Sequence, residues 1–83
     1  MDRNESSRLV RPLHPMPVAV IRALKDRGLD GAYRGRPAYQ QNDYIGWITS
    51  AKRPETQRRR LEQMLDELEA GDVYMKMAWR GRE

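Results

Sequence analysis

The chain has 83 residues, 39% hydrophobic and 34% charged, which is room for one small domain. A chain of this size hides only about 60–65% of its unfolded surface, so a large enclosed active-site cavity is excluded. There is no cysteine and His14 is the single histidine, which excludes disulfides, iron–sulfur clusters, thiolate zinc sites and histidine metal cages.

The net charge is +4 and the pI is near 9.9. Only Lys25, Lys52 and Lys76 are lysines among 16 basic residues, so the rest are arginine, the better residue for bidentate phosphate or carboxylate contacts. This balance favours anionic partners; the plainer reading is a charge that keeps a small protein soluble. The longest apolar run is Val18–Ile21, far short of the roughly 20 apolar residues of a membrane-spanning helix. The N-terminal stretch carries both charge signs and lacks an apolar signal core, so a cytoplasmic location is the expectation.

Residues 1–12 are polar and without period, and are expected to form a flexible arm. Pro12, Pro15 and Pro17 then impose extended or turn geometry, and Pro17 suits the first position of a helix. The first helix is expected over Pro17–Arg27, with Val18, Ile21 and Leu24 as its inward stripe, Val20 widening it, and Gly28 as its stop. Asp30 opens a short helical turn through Arg34 that sends Tyr33 inward.

The second main helix is expected from Pro37 to Ala51, where Tyr44, Trp47, Ile48 and Ala51 repeat at i, i+3, i+4 and i+7. Gly46 inside it reads as a solvent-facing position; close approach of a neighbouring helix is the alternative. After a short connector with Lys52 and Arg53, the third main helix spans Pro54–Ala70 and ends at Gly71. Leu61, Met64, Leu65 and Leu68 form its core face. Val73, Tyr74, Met75, Met77 and Trp79 suggest a tail that docks, leaving 80–83 loose. The fold class is therefore all-α: one domain over 13–79 with three main helices, a short helical turn, a flexible arm and a docked tail.

Tyr44-Ile45-Gly46-Trp47-Ile48, then Ala51-Lys52-Arg53-Pro54-Glu55-Thr56, then Arg59-Arg60, together form a long string of mixed chemistry. It resembles the core signature of the YdeI/OmpD-associated (OmdA, bacteriocin-protection) family. The resemblance implies a small helical module of bacterial origin, in a family linked by name to envelope stress, antimicrobial-peptide tolerance and porin association. It brings no catalytic residue and no cofactor to this chain.

Three constellations carry candidate chemistry. Lys52, Arg53, Arg58, Arg59 and Arg60 place five bases within nine positions with Glu55 the only acid, a corner suited to an anionic partner. The plainer reading is a solvated, internally paired face. The third main helix is basic early and acidic from Glu62 to Asp72, the reverse of what the helix dipole prefers. That order suggests pairing with Arg22, Lys25, Arg27 or Lys76, or with a second copy of the chain as a homodimer. Tyr39, Gln40 and Gln41 offer stacking and amide contacts, against the plainer reading as the polar start of a helix.

The connector length also fits a helix-turn-helix, making nucleic acid the alternative to an acidic protein partner. Asp43, Glu55 and Asp66 are isolated carboxylates with no nucleophile–base pairing, so an enzyme is the least supported reading. Met64, Met75 and Met77 read as packing, and His14 as incidental. The overall expectation is a non-enzymatic module that binds an anionic partner, with no cofactor and no metal.

Overall fold

The computed structural model describes residues 13–79; the expected arm over 1–12 and the end at 80–83 lie outside the described residues. Four helices appear in chain order: α1 (Val18–Arg27), α2 (Asp30–Arg34), α3 (Ala38–Ser50) and α4 (Pro54–Ala70). Two short strands follow, β1 (Val73–Tyr74) and β2 (Met77–Ala78). They pair antiparallel, Val73 opposite Ala78 and Tyr74 opposite Met77. The all-α expectation is thus corrected. Of the described residues 67% are helical, and the fold closes with a β-hairpin.

Proline and glycine set the helix limits. Pro17 stands just before α1 with an extended ψ of 152°, and its carbonyl accepts the Val20 and Ile21 amides at 3.0 and 3.1 Å. Gly28 ends α1 at φ 67°, a left-handed conformation that costs a side-chain-bearing residue about 1–2 kcal/mol. The turn there sends the Leu29 amide back to the Leu24 carbonyl at 2.8 Å and folds Leu29 into the core. Pro54 occupies the first turn of α4, where a missing amide hydrogen leaves nothing unsatisfied.

The core gathers Val20, Leu24, Leu29, Tyr33, Tyr44, Ile45, Ile48, Met64, Leu65 and Leu68, with Trp47 and Leu61 packed at its margin. Burying a side chain such as Leu24, 1% exposed, contributes about 1.5–3 kcal/mol. Two expected core residues are corrected: Val18 is 64% and Ile21 41% exposed. The inward face of α1 is turned by about one residue, roughly 100°, onto Val20, Ala23 and Leu24. A period of 3.6 lets Val20 and Leu24 define a stripe as well as Val18 and Ile21 do. Only the first choice brings Arg27 onto α4, where it donates to Glu69 at 2.8 Å and Asp66 at 3.4 Å. That pairing is one of those the reversed charge order of α4 suggested.

Gly46 is also corrected. A Cβ there would lie 2.6 Å from Nε2 of His14, so the position is neither open nor covered by a helix. The His14 ring packs against α3 at Gly46, and its amide donates to Oδ1 of Asn42, one turn earlier, at 2.9 Å. The entry segment before α1 is therefore fastened to α3, and His14 is not incidental.

Candidate functional site

Three consecutive arginines leave α4 about 100° apart and meet three different surroundings. Arg60 turns back onto α3. Its Nη1 donates to the Trp47 carbonyl at 2.6 Å and to Oγ of Ser50 at 3.2 Å, with the guanidinium 5.2 Å from the Trp47 ring centre. The Trp47 carbonyl is among the last four of α3, which lack an intrahelical amide partner; Oγ of Ser50 donates to it at 3.0 Å, and Arg60 adds a second cap from the neighbouring helix. Arg58 lines a groove between helices, and Arg59 is exposed.

Lys52 and Arg53 stand exposed on the connector between α3 and α4. Arg53 lies 3.9 Å from Glu55, an exposed pair of little energetic value. Among the described residues Lys52, Arg58 and Arg59 form no ion pair. Nε2 of Gln57 donates to the Ala51 carbonyl at 2.8 Å, tying the first turns of α4 to the connector and giving the corner a defined backbone. Of the five expected contact residues, four therefore stay outward and Arg60 is spent on the fold.

The other three expected contacts lie near the start of α3 and are mostly consumed. Gln40 is fully buried, accepting from Arg36 at 3.0 Å and donating to the Tyr39 hydroxyl at 3.1 Å. The Gln41 amide donates to the carbonyls of Arg36 and Arg34 at 2.8 and 3.3 Å. Tyr39 keeps 48% exposure, its ring edge-on to Tyr74 at 6.0 Å.

These residues border a polar cluster at the C-terminal end of α4. Arg36, 4% exposed, donates to the Glu67 carbonyl at 2.9 Å and stacks on Trp79 at 4.4 Å. It caps α4 as Arg60 caps α3. The Glu67 carboxylate, 5% exposed, accepts from the Tyr44 hydroxyl at 2.5 Å and the Met75 amide at 2.8 Å on one oxygen. The other oxygen accepts from Gln63 at 3.0 Å and the Lys76 amide at 2.9 Å.

Burial, and then the bond to Glu67, push the Tyr44 phenol well above its usual value of 10.0. Burial also raises Tyr33. Hydrogen bonds to Glu69 and then Asp66 hold the Arg27 guanidinium above its usual value. Asp43 accepts from Tyr74 at 2.9 Å near this closed end, whereas Glu55 stands beside Arg53 at the other. The isolated carboxylates are not brought together. Among the described residues no group of three His, Asp or Glu side chains could hold a metal, and no helix is long and apolar enough to cross a membrane.

The groove that Arg58 lines is new relative to the sequence reading. It has a volume of about 220 Å³ and lies between the starts of α1 and α4 and the end of α3. Val20, Ile48 and Leu61 form its apolar floor, with Ala19, Thr49 and Gln57 at its sides. The signal that could have found it is the spacing Pro54, Gln57, Arg58, Leu61, which continues the core stripe of α4 backwards through exposed positions.

Four helices closed by a hairpin, with an open basic corner at one end and a sealed polar cluster at the other, define a small helical module. Residues 15–71, well over half of the chain, match the sequence profile of OmdA, described as "Bacteriocin-protection, YdeI or OmpD-Associated". The chain belongs to that family. No curated protein and no solved structure gives a significant match.

Proposed function

We propose that this OmdA-family protein is a non-enzymatic module that binds an acidic protein surface through Lys52, Arg53, Arg58 and Arg59. The observation that supports the reading is an imbalance of charge on a defined corner. Arg22, Lys25 and Arg34 are exposed too, but Asp26 and Asp30 are interspersed with them, whereas Lys52–Arg60 holds one acid against five bases. A role in the bacteriocin protection or OmpD association that the family's description names would be exercised through such a contact.

Nucleic acid is the second reading, favoured by the three-residue connector and the bases at the start of α4. It is weaker for a physical reason. Asp66 and Glu69 have side chains 73% and 65% exposed on the same helix, so laying α4 along a duplex brings carboxylates toward phosphates. The arginines also diverge around the helix and form no row that tracks a backbone.

Fluorescence anisotropy with labelled polyglutamate, labelled duplex DNA and labelled single-stranded DNA, each across a salt series, tests both. The expected result is saturable binding of polyglutamate at low salt, abolished by the double variant Arg58→Glu/Arg59→Glu. Tight, steeply salt-dependent DNA binding without polyglutamate binding would transfer the corner to nucleic acid. No binding of any probe at low salt would sink the anionic-partner reading altogether.

A further inference from the structure

The basic corner and the apolar groove share a wall. On α4 the groove is lined by Pro54, Gln57, Arg58 and Leu61, the i, i+3, i+4, i+7 series of the face that buries Met64, Leu65 and Leu68 farther on. Exposure falls in order along that face. Pro54, Gln57 and Arg58 are open, Leu61 is half-buried and Met64 is fully buried. The core stripe thus runs out from beneath its cover before the helix begins.

The opening is too small for a cofactor. About 220 Å³ lies below the roughly 300–1,000 Å³ of small-molecule sites, but it admits an anchoring side chain. Its charge is one-sided: among the described residues Arg58 is the sole charged one in the lining, and no acid lines it. The connector joining the lining residues Thr49 and Pro54 carries Lys52 and Arg53. An apolar floor with cations at the rim is complementary to an apolar group flanked by carboxylates. It is a poor match to nucleic acid, which has no aliphatic side chain to seat and finds no exposed aromatic platform here, since Arg60 covers the Trp47 ring.

We infer that the groove seats one apolar side chain of an acidic peptide segment, whose flanking carboxylates pair with Arg58, Lys52 and Arg53. The inference rests on the reading of the corner as an anion-binding surface and adds what the partner must carry at its centre. Affinity then divides between two physical sources. The charges supply a salt-dependent part, and the anchor supplies a salt-resistant part set by the area it buries.

The test uses the full chain, isotope-labelled, in heteronuclear NMR titrations with two short Glu/Asp peptides, one with a central Leu and one with a central Ala. The Leu peptide should bind about tenfold more tightly, as expected for seating one aliphatic side chain, and should shift the amides of Thr49, Gln57 and Arg58. Ala19→Leu fills the groove from an exposed helical position, so it should erase the Leu preference while leaving the charge-dependent binding. Arg58→Glu/Arg59→Glu should remove both.

Equal affinity for the two peptides overturns the anchor and leaves the anionic-partner reading standing. A Leu preference that survives Ala19→Leu places the anchor elsewhere and also overturns the inference. Binding of duplex DNA but of neither peptide overturns the inference and the acidic-protein reading together. Concentration-dependent shifts at the same amides without peptide assign the groove to a second copy of the chain, which again overturns it.

Discussion

The two ends of α4 solve opposite problems with the same residue types. At the C-terminal end a carboxylate, an arginine and a tyrosine are taken out of water, and each meets hydrogen-bond partners: Glu67 accepts four donors and Arg36 spans Gln40 and the Glu67 carbonyl. At the N-terminal end Lys52, Arg58 and Arg59 stay in water with no ion pair among the described residues, beside an apolar groove that nothing in the described chain fills. Burying a charge is tolerated only when its partners are supplied, so the closed end serves the fold. The open cations and apolar surface at the other end make no such contribution to the fold, and that is the surface proposed to meet a partner.

Breaking the closed end should have the largest effect. Glu67→Ala removes the acceptor of two backbone amides, a phenol and a side-chain amide, and is expected to cost about 3 kcal/mol. Urea denaturation reads this directly; a loss below about 1 kcal/mol would mean that water reaches this end and that the contrast between the two ends is false.

Alkali should attack the same end. Tyr44 has its folded value raised above 10.0, so its contribution is complete below that pH and is lost as pH rises, because the unfolded chain ionises first. Above pH 10.0 stability should fall by up to about 1.4 kcal/mol per pH unit on account of this residue, with Tyr33 adding in the same direction. Tyr44→Phe should make the alkaline decline shallower, and an unchanged slope would assign that decline to other groups.

A paired comparison of adjacent arginines sharpens the contrast at the open end. Arg60→Ala removes one of the two donors to the Trp47 carbonyl and should cost about 1 kcal/mol, while Arg58→Ala should stay within about 0.5 kcal/mol of the parent. If Arg58→Ala proves the costlier of the two, the division between structural and partner-facing arginines is wrong. The smallest effect is expected at Gly46. Replacement by Ala gains up to about 1 kcal/mol of helix propensity but expels the His14 ring, so the net change should be under about 1 kcal/mol. The His14 ring signals should then move to those of an unpacked histidine; if they stay put, the ring does not lie on α3.

The helices were legible because their punctuation is strong. Pro54 and Gly71 bracket a 17-residue amphipathic run, and Pro17, Gly28 and Gly35 mark the other limits. The rotation of α1 was not legible, since Val18, Val20, Ile21 and Leu24 support two stripes and a long-range pair, Arg27 with Asp66 and Glu69, selects one. The buried cluster was hidden for a different reason. Arg36, Gln40 and Glu67 are residue types expected at the surface, and the bonds that join them to α4 and the hairpin span up to thirty-one positions. Arg60 looked equivalent to Arg58 in a run of bases; only the end of α3 above it tells them apart. The hairpin escaped because its turn is Met75-Lys76, with none of the Asn-Gly chemistry that announces such turns.

That turn has a consequence for how the molecule assembles. Met75 and Lys76 both take left-handed backbone, at φ 51° and 65°, where each non-glycine residue costs on the order of 1 kcal/mol. Strands of two residues cannot hold such a turn by themselves. Both turn amides end on the Glu67 carboxylate, which is in place only once α4 is helical and Tyr44 has packed behind it. Glu67 therefore acts as a mould for a shape its neighbours would not choose unaided: the turn depends on a surface that the helices build.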